Sequence, residues 1–133
     1  MITTTLAVGA TLNSSVWFNS PPLTVPAGTY IFFHSAIVQP GSTSTLTFSN
    51  LIFVIATGNN NVGTNYYYCN DTTTRLTLVY GSANTYATLQ KTGVITLSSS
   101  QSLYASIQLN YTTGGSNLSG VTDGGYITYL RIA

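Results

Sequence analysis

The His, Cys and carboxylate side chains of this sequence, the usual carriers of acid–base and metal chemistry, are His34, Cys69, Asp71 and Asp123, and there is no Glu. A nucleophilic triad needs a base and an orienting acid within reach of the nucleophile. The only base of that kind is His34, which lies in the middle of GTYIFFHSAIV, where a core or interface histidine is the expected role. A glycosidase needs two carboxylates flanking one bond. Asp71 and Asp123 are the only side-chain pair, and both sit in turn-rich polar stretches where Asp commonly bonds its own backbone. Calcium takes about six to eight oxygens, usually with several carboxylates. Zinc takes a Cys/His set, and a phosphate cradle takes a Gly-rich loop between a strand and a helix. The sequence carries none of these patterns. Cys69 has no second cysteine to pair with, and its expected role is that of a small half-buried hydrophobe. The reading is therefore of a protein that is not an enzyme, with no catalytic residue, no metal and no cofactor.

Three cations (Arg75, Lys91, Arg131) and the two aspartates make up all the charge, 4% of residues with a net charge of +1. An ordinary soluble domain is about 25% charged. So few cations leave no electrostatic footprint for a phosphate backbone, and nucleic acid is not an expected partner. Ser, Thr, Asn and 10 Tyr carry the surface instead. A neutral surface has little self-repulsion, so identical copies can lie side by side. Disorder is excluded because hydrophobic residues reach 44% and are patterned. The longest apolar run, Leu51–Ala56, is far short of the ~20 residues that span a bilayer, so no membrane insertion is expected. The opening MITTTLAVGA has neither a basic nor a long apolar region, so no secretory signal is expected there. Asn13, Asn70, Asn110 and Asn117 each head an N-x-[ST] triplet, which a chain this rich in Asn, Ser and Thr produces by composition.

These residues must be positioned by strands. Apolar and polar residues alternate with period two almost throughout, and no window carries a helical stripe. In Gly28–Val38, Tyr30, Phe32, His34, Ala36 and Val38 face one way and Ile31, Phe33, Ser35 and Ile37 the other. Both faces are largely apolar, so both should be covered. Leu103–Asn110 alternates cleanly and predicts a strand with one wet face. Thr45–Ala56 predicts another, with a bend or bulge at Asn50. Further strands are expected at Val16–Phe18, Tyr66–Cys69, Arg75–Tyr80, Tyr86–Gln90, Val94–Leu97 and Tyr126–Ile132. Gly- and Pro-rich clusters between them predict turns, among them Gly58 to Gly63 and Asp123-Gly124-Gly125. The outcome is one all-β domain over residues 1–133, an antiparallel two-sheet sandwich of about 8–10 strands. The first 20 residues form either a first strand or an arm. In Tyr66-Tyr67-Tyr68, flat apolar rings with polar tips, beside the Asn59–Asn65 loop, suit recognition of a sugar or receptor.

Three stretches together resemble a known family. LTVPAGTYIFF from Leu23 gives a short strand, a Pro-Ala-Gly turn and a strand with spaced aromatics. TGVITLSSSQSLYASI (Thr92–Ile107) gives a strand–turn–strand, and GYITYLRIA (Gly125–Ala133) is an aromatic-rich last strand. The chain is similar to the trimeric jelly-roll heads of the tumour-necrosis-factor and complement-C1q type, in the versions found as head or fibre domains of phages and viruses. The family's Gly-Asp turn is Ser100-Gln101 here, which can still close a polar turn. The resemblance implies a jelly roll that forms a homotrimer, with the strand from Gly28 and the last strand in the sheet facing the threefold axis. Tyr30, Phe32, Tyr126, Tyr129 and Arg131 are the residues it would place at that interface. It implies a viral structural protein: a spike, fibre head or minor capsid component on the virion surface, assembled with itself and other virion proteins and attaching to a host glycan or receptor. The alternative is a carbohydrate-binding module or lectin with a β-sandwich fold.

Overall fold

Strands with one apolar face must pair edge to edge and stack face to face. The computed structural model describes residues 1–5, 8–12, 14–40, 45–72, 77–79, 87–114 and 120–133. Among them lie eleven strands and no helix. They are β1 (Ile2–Thr5), β2 (Val8–Leu12), β3 (Trp17–Asn19), β4 (Leu23–Val25), β5 (Gly28–Pro40), β6 (Thr45–Ala56), β7 (Asn65–Asp71), β8 (Thr77–Val79), β9 (Ala87–Leu97), β10 (Gln101–Gly114) and β11 (Gly120–Arg131). One sheet runs β1–β11–β5–β9, with β2 following β1 along the same flank of β11. The other runs β3–β10–β6–β7, with β4 following β3 along β10 and β8 following β7 along β6. Each sheet is thus four lanes wide, and every pairing is antiparallel. The chain crosses from one sheet to the other at each change of lane except the β6–β7 hairpin. That winding is a jelly roll.

The core lies between the sheets. Tyr30, Phe32, Ala36 and Val38 of β5 meet Phe48, Leu51, Phe53 and Ile55 of β6, with Leu103, Ala105, Ile107 and Leu109 of β10 and Ile127 and Tyr129 of β11. Ring pairs lock it: Phe32 to Phe53 at 5.7 Å, Phe32 to Tyr67 at 4.7 Å and Tyr30 to Tyr129 at 6.4 Å between centroids. Burying one such ring stabilises by roughly 1.5–3 kcal/mol.

Two expectations change. The segment Tyr86–Leu97 is not two strands, since β9 runs unbroken from Ala87 to Leu97. Gly93, between the two expected strands, is a packing site: a Cβ there would stand 2.7 Å from both the Phe32 and Tyr67 rings. Asp123-Gly124-Gly125 is not a turn but lies within β11, where the register to β5 shifts between Thr122 and Gly125. Glycine suits a bulge as well as a turn, so composition alone does not separate them. The opening residues pair into the sandwich, with β1 and β2 on β11 and β3 on β10. The irregularity expected near Asn50 is present, as a register shift opposite Asn110 and Tyr111. Of the expected strand Arg75–Tyr80, β8 covers Thr77–Val79 and the rest lies outside the described residues. No described helix is long and apolar enough to cross a membrane.

Candidate functional site

The five residues expected at a threefold interface do not share a face. Tyr30, Phe32 and Tyr129 point between the sheets and are 2%, 0% and 1% exposed. They are core of a single protomer, which corrects their assignment to an interface. Burial pushes the Tyr129 phenol well above its usual range. Tyr126 is on the outside, 44% exposed. The parity of the strand had already contained this: positions 126 and 129 are three apart, and a regular strand sends them to opposite faces. Arg131 is exposed at the end of β11 and its Nε donates to the Ala133 carbonyl at 3.1 Å. That carbonyl also accepts from Thr29 N–H, tying the chain end to the start of β5. The bend there requires Gly28, whose φ is +149° and whose Cβ would meet Arg131 Nε at 2.8 Å.

The outer face of the β1–β11–β5–β9 sheet is made by the other parity. Phe33, Tyr126, Leu130 and Val94 stand out from it, each 41% exposed or more, with Ile31 and Ile37 half-buried among them. The polar members are uncharged, as in Thr3, whose hydroxyl bonds that of Thr128 at 2.9 Å. No charged side chain stands on the described part of this face.

The opposite outer face, on β3–β10–β6–β7, is partly covered by the chain itself. Val54, Ala56 and Ser106 point outward yet are fully buried. The β6–β7 loop turns back over them. Asn60 and Asn61 at its tip have positive φ, which Asn tolerates. Asn19 of β3 pins the tip with both ends of its amide: Nδ2 donates to Asn60 Oδ1 at 2.7 Å, and Oδ1 accepts from Asn60 N–H at 2.9 Å. Ser106 Oγ also donates to Asn19 Oδ1, at 2.6 Å. Farther along the face a ladder of amides crosses the sheet. Ser15 Oγ donates to Asn110 Oδ1 at 2.5 Å, Asn110 Nδ2 to Asn50 Oδ1 at 2.6 Å, and Asn50 Nδ2 to Asn70 Oδ1 at 2.9 Å.

The tyrosine triplet sits on β7, an edge strand of this sheet. A register shift where β7 meets Ala56 turns both Tyr66 and Tyr67 against the core, and only Tyr68 stands out, 53% exposed. Strict alternation would put Tyr66 on the face of Tyr68, but the bulge adds a residue that alternation does not count.

The remaining chemistry-bearing residues gather where the edge strands β7 and β9 meet. Lys91 and Asp71 both point inward and form an ion pair of 2.7 Å that joins the two sheets. His34 faces Lys91 across the β5–β9 ladder, and its ring packs on Phe53 at 4.5 Å. Its Nε2 is buried with no partner, and burial pulls its pKa down to about 4. Burial and the neighbouring Cys69 thiol push the Tyr67 phenol up, against the opposing pull of Lys91. Inward charges on edge strands oppose pairing with a second chain, because docking there would strand them away from water. Among the described residues no three of His, Cys, Asp and Glu are placed to hold a metal ion. The Asp123 side chain, Arg75, Asn13 and Asn117 lie outside the described residues. No protein-family model matches the chain, and no curated protein matches it.

Proposed function

We propose that this protein is a viral structural protein, a homotrimeric jelly-roll spike, fibre head or minor capsid component that works at the virion surface by assembly and attachment. The observation that carries the reading is the bare outer face of the β1–β11–β5–β9 sheet, with Phe33, Tyr126, Leu130 and Val94 exposed together and no charge on its described part. Contiguous apolar area of that kind marks an interaction surface. Uncharged copies do not repel, and each Å² of apolar surface removed from water contributes about 25 cal/mol. In the family that the sequence resembles, the sheet holding the strand from Gly28 and the last strand faces the threefold axis, and here those strands are β5 and β11. The interface set becomes Phe33, Tyr126, Leu130 and Val94, in place of the buried Tyr30, Phe32 and Tyr129. Other virion proteins and a host-surface receptor would meet the surfaces left outside.

Mass measurement in solution tests assembly. A species of three times the 14.1 kDa chain is expected at micromolar concentration, and Phe33→Glu with Leu130→Glu should dissociate it. A stable monomer of the unaltered chain overturns the reading. Co-purification with particles tests the virion assignment. A second reading, a carbohydrate-binding module, is favoured by Tyr68, an exposed ring beside the end of an amide ladder.

A further inference from the structure

We infer that the outer face of the β3–β10–β6–β7 sheet, between the pinned loop and the amide ladder, binds a neutral oligosaccharide against Tyr68 and Asn70. The inference rests on the second reading and does not require the trimer. Asn70 lies two residues beyond Tyr68 on β7 and is exposed, so ring and amide share one face. The Asn70 oxygen is taken by Asn50, whose oxygen is taken by Asn110, whose oxygen is taken by Ser15. All these dipoles point the same way, and such chains strengthen each member's next bond. The line ends at the Asn70 amide NH₂, which faces solvent as a donor.

Asn70 stands level with Ile52, Gln108 and Trp17 across the sheet, as the strand registers set. Ile52, Gln108 and Trp17 are all half-buried. Gln108 is held flat, its Nε2 donating to the Ser15 carbonyl at 3.0 Å. The row spans three strand spacings, about 14 Å, with an aromatic near each end and amides between. The pinned loop walls one side, over Val54 and Ser106. Aromatic rings accept the apolar face of a sugar, and amides bond its hydroxyls at low entropy cost. The described part of this face carries no charge, because Lys91 and Asp71 point inward. Nothing there matches the charge of a sialylated or sulfated ligand. The ligand class is therefore a neutral glycan.

The test is an array of neutral gluco-, galacto-, manno- and N-acetylglucosamine-type oligosaccharides, printed beside sialylated and sulfated counterparts, followed by calorimetry on the strongest neutral compound. Neutral binding is expected, weakened about tenfold or more by Tyr68→Ala and weakened by Asn70→Ala. In the unaltered protein, the same compound should shift the backbone resonances of Tyr68, Asn70 and Gln108, a readout that needs no variant to fold. Phe33→Glu should leave the affinity per protomer unchanged, so loss of assembly and loss of binding are separable. Binding to no neutral glycan, to charged glycans only, or with shifts confined to other residues overturns the inference. Occupation of this face solely by a protein partner overturns it as well.

Discussion

Acidification should weaken this protein through one residue, His34. Its imidazole packs on Phe53, pairs in register with Ile127 on β11 and Lys91 on β9, and leaves Nε2 buried without a partner. Lys91 lies across the ladder, paired with Asp71, but it is burial that disfavours the charged ring. Protonation inside the fold therefore waits until about pH 4, against 6.5 in the unfolded chain. Between those values the unfolded chain holds a proton that the folded one does not, so stability falls as pH falls. The full contribution is present above 6.5, and its loss is complete near pH 4. At about 1.4 kcal/mol per pH unit, the loss sums to about 3 kcal/mol. That is a large share of the roughly 5–15 kcal/mol that holds a domain folded. The sequence isolates the effect, because it has no Glu and no second His, and Asp titrates near 3.9. Urea unfolding at several pH values from about 7 to 4.5 should show the decline, and His34→Leu should flatten it. The imidazole resonances should report a mostly neutral ring in the folded protein across this window. Equal pH slopes in the two proteins, or no slope in the unaltered chain, would refute the reasoning.

Three further outcomes follow from the packing. Asp71→Asn or Lys91→Met alone removes one half of a mostly buried ion pair and should cost about 2 kcal/mol in urea unfolding, between exposed and fully buried pairs. Combining the two should recover most of that loss. Gly93→Ala forces a methyl against the Phe32 and Tyr67 rings and should destabilise by about 1–3 kcal/mol, seen as a lower urea midpoint. Asn19→Ala removes both bonds to Asn60, so hydrogen exchange should quicken across the β6–β7 loop while β5 and β11 keep their protection.

The fold class was legible because alternation along Gly28–Val38 and Leu103–Asn110 leaves no other period. Those residues form β5 and β10, inner faces as paired. Alternation does not say which parity of β5 turns inward, since both are apolar. The answer depends on which side β6 and β10 pack, and sequence spacing does not carry that. Tyr30 and Phe32 were therefore placed at an interface when they are core, whereas Phe33, one residue along, is exposed. Bulges hid the remainder. The shift beside Tyr66 turns a ring inward, and the one at Asp123 keeps a glycine-rich stretch inside β11. The Asn19–Asn60 clasp and the amide ladder join residues far apart in sequence, and Asn in a polar stretch reads only as a turn former. The tyrosine triplet and the Asn-rich loop beside it were visible in the sequence, but which of the three rings stands out depends on the register of β7.

The position of β11 has a consequence for how the chain acquires its shape. It is the last strand, yet it sits inside its sheet, between β5 and the opening strands, and joins residues as distant as Thr3 and Thr128. Until β11 is synthesised, the opening strands have no neighbour and β5 is paired only with β9. During translation β1 and β2 must wait for β11, with one edge of β5 open meanwhile. Pairings of such sequence separation place folding among the slow, millisecond-to-second cases, and an exposed edge in that interval invites association between nascent chains. Copies made side by side on one message would meet while that edge is still open.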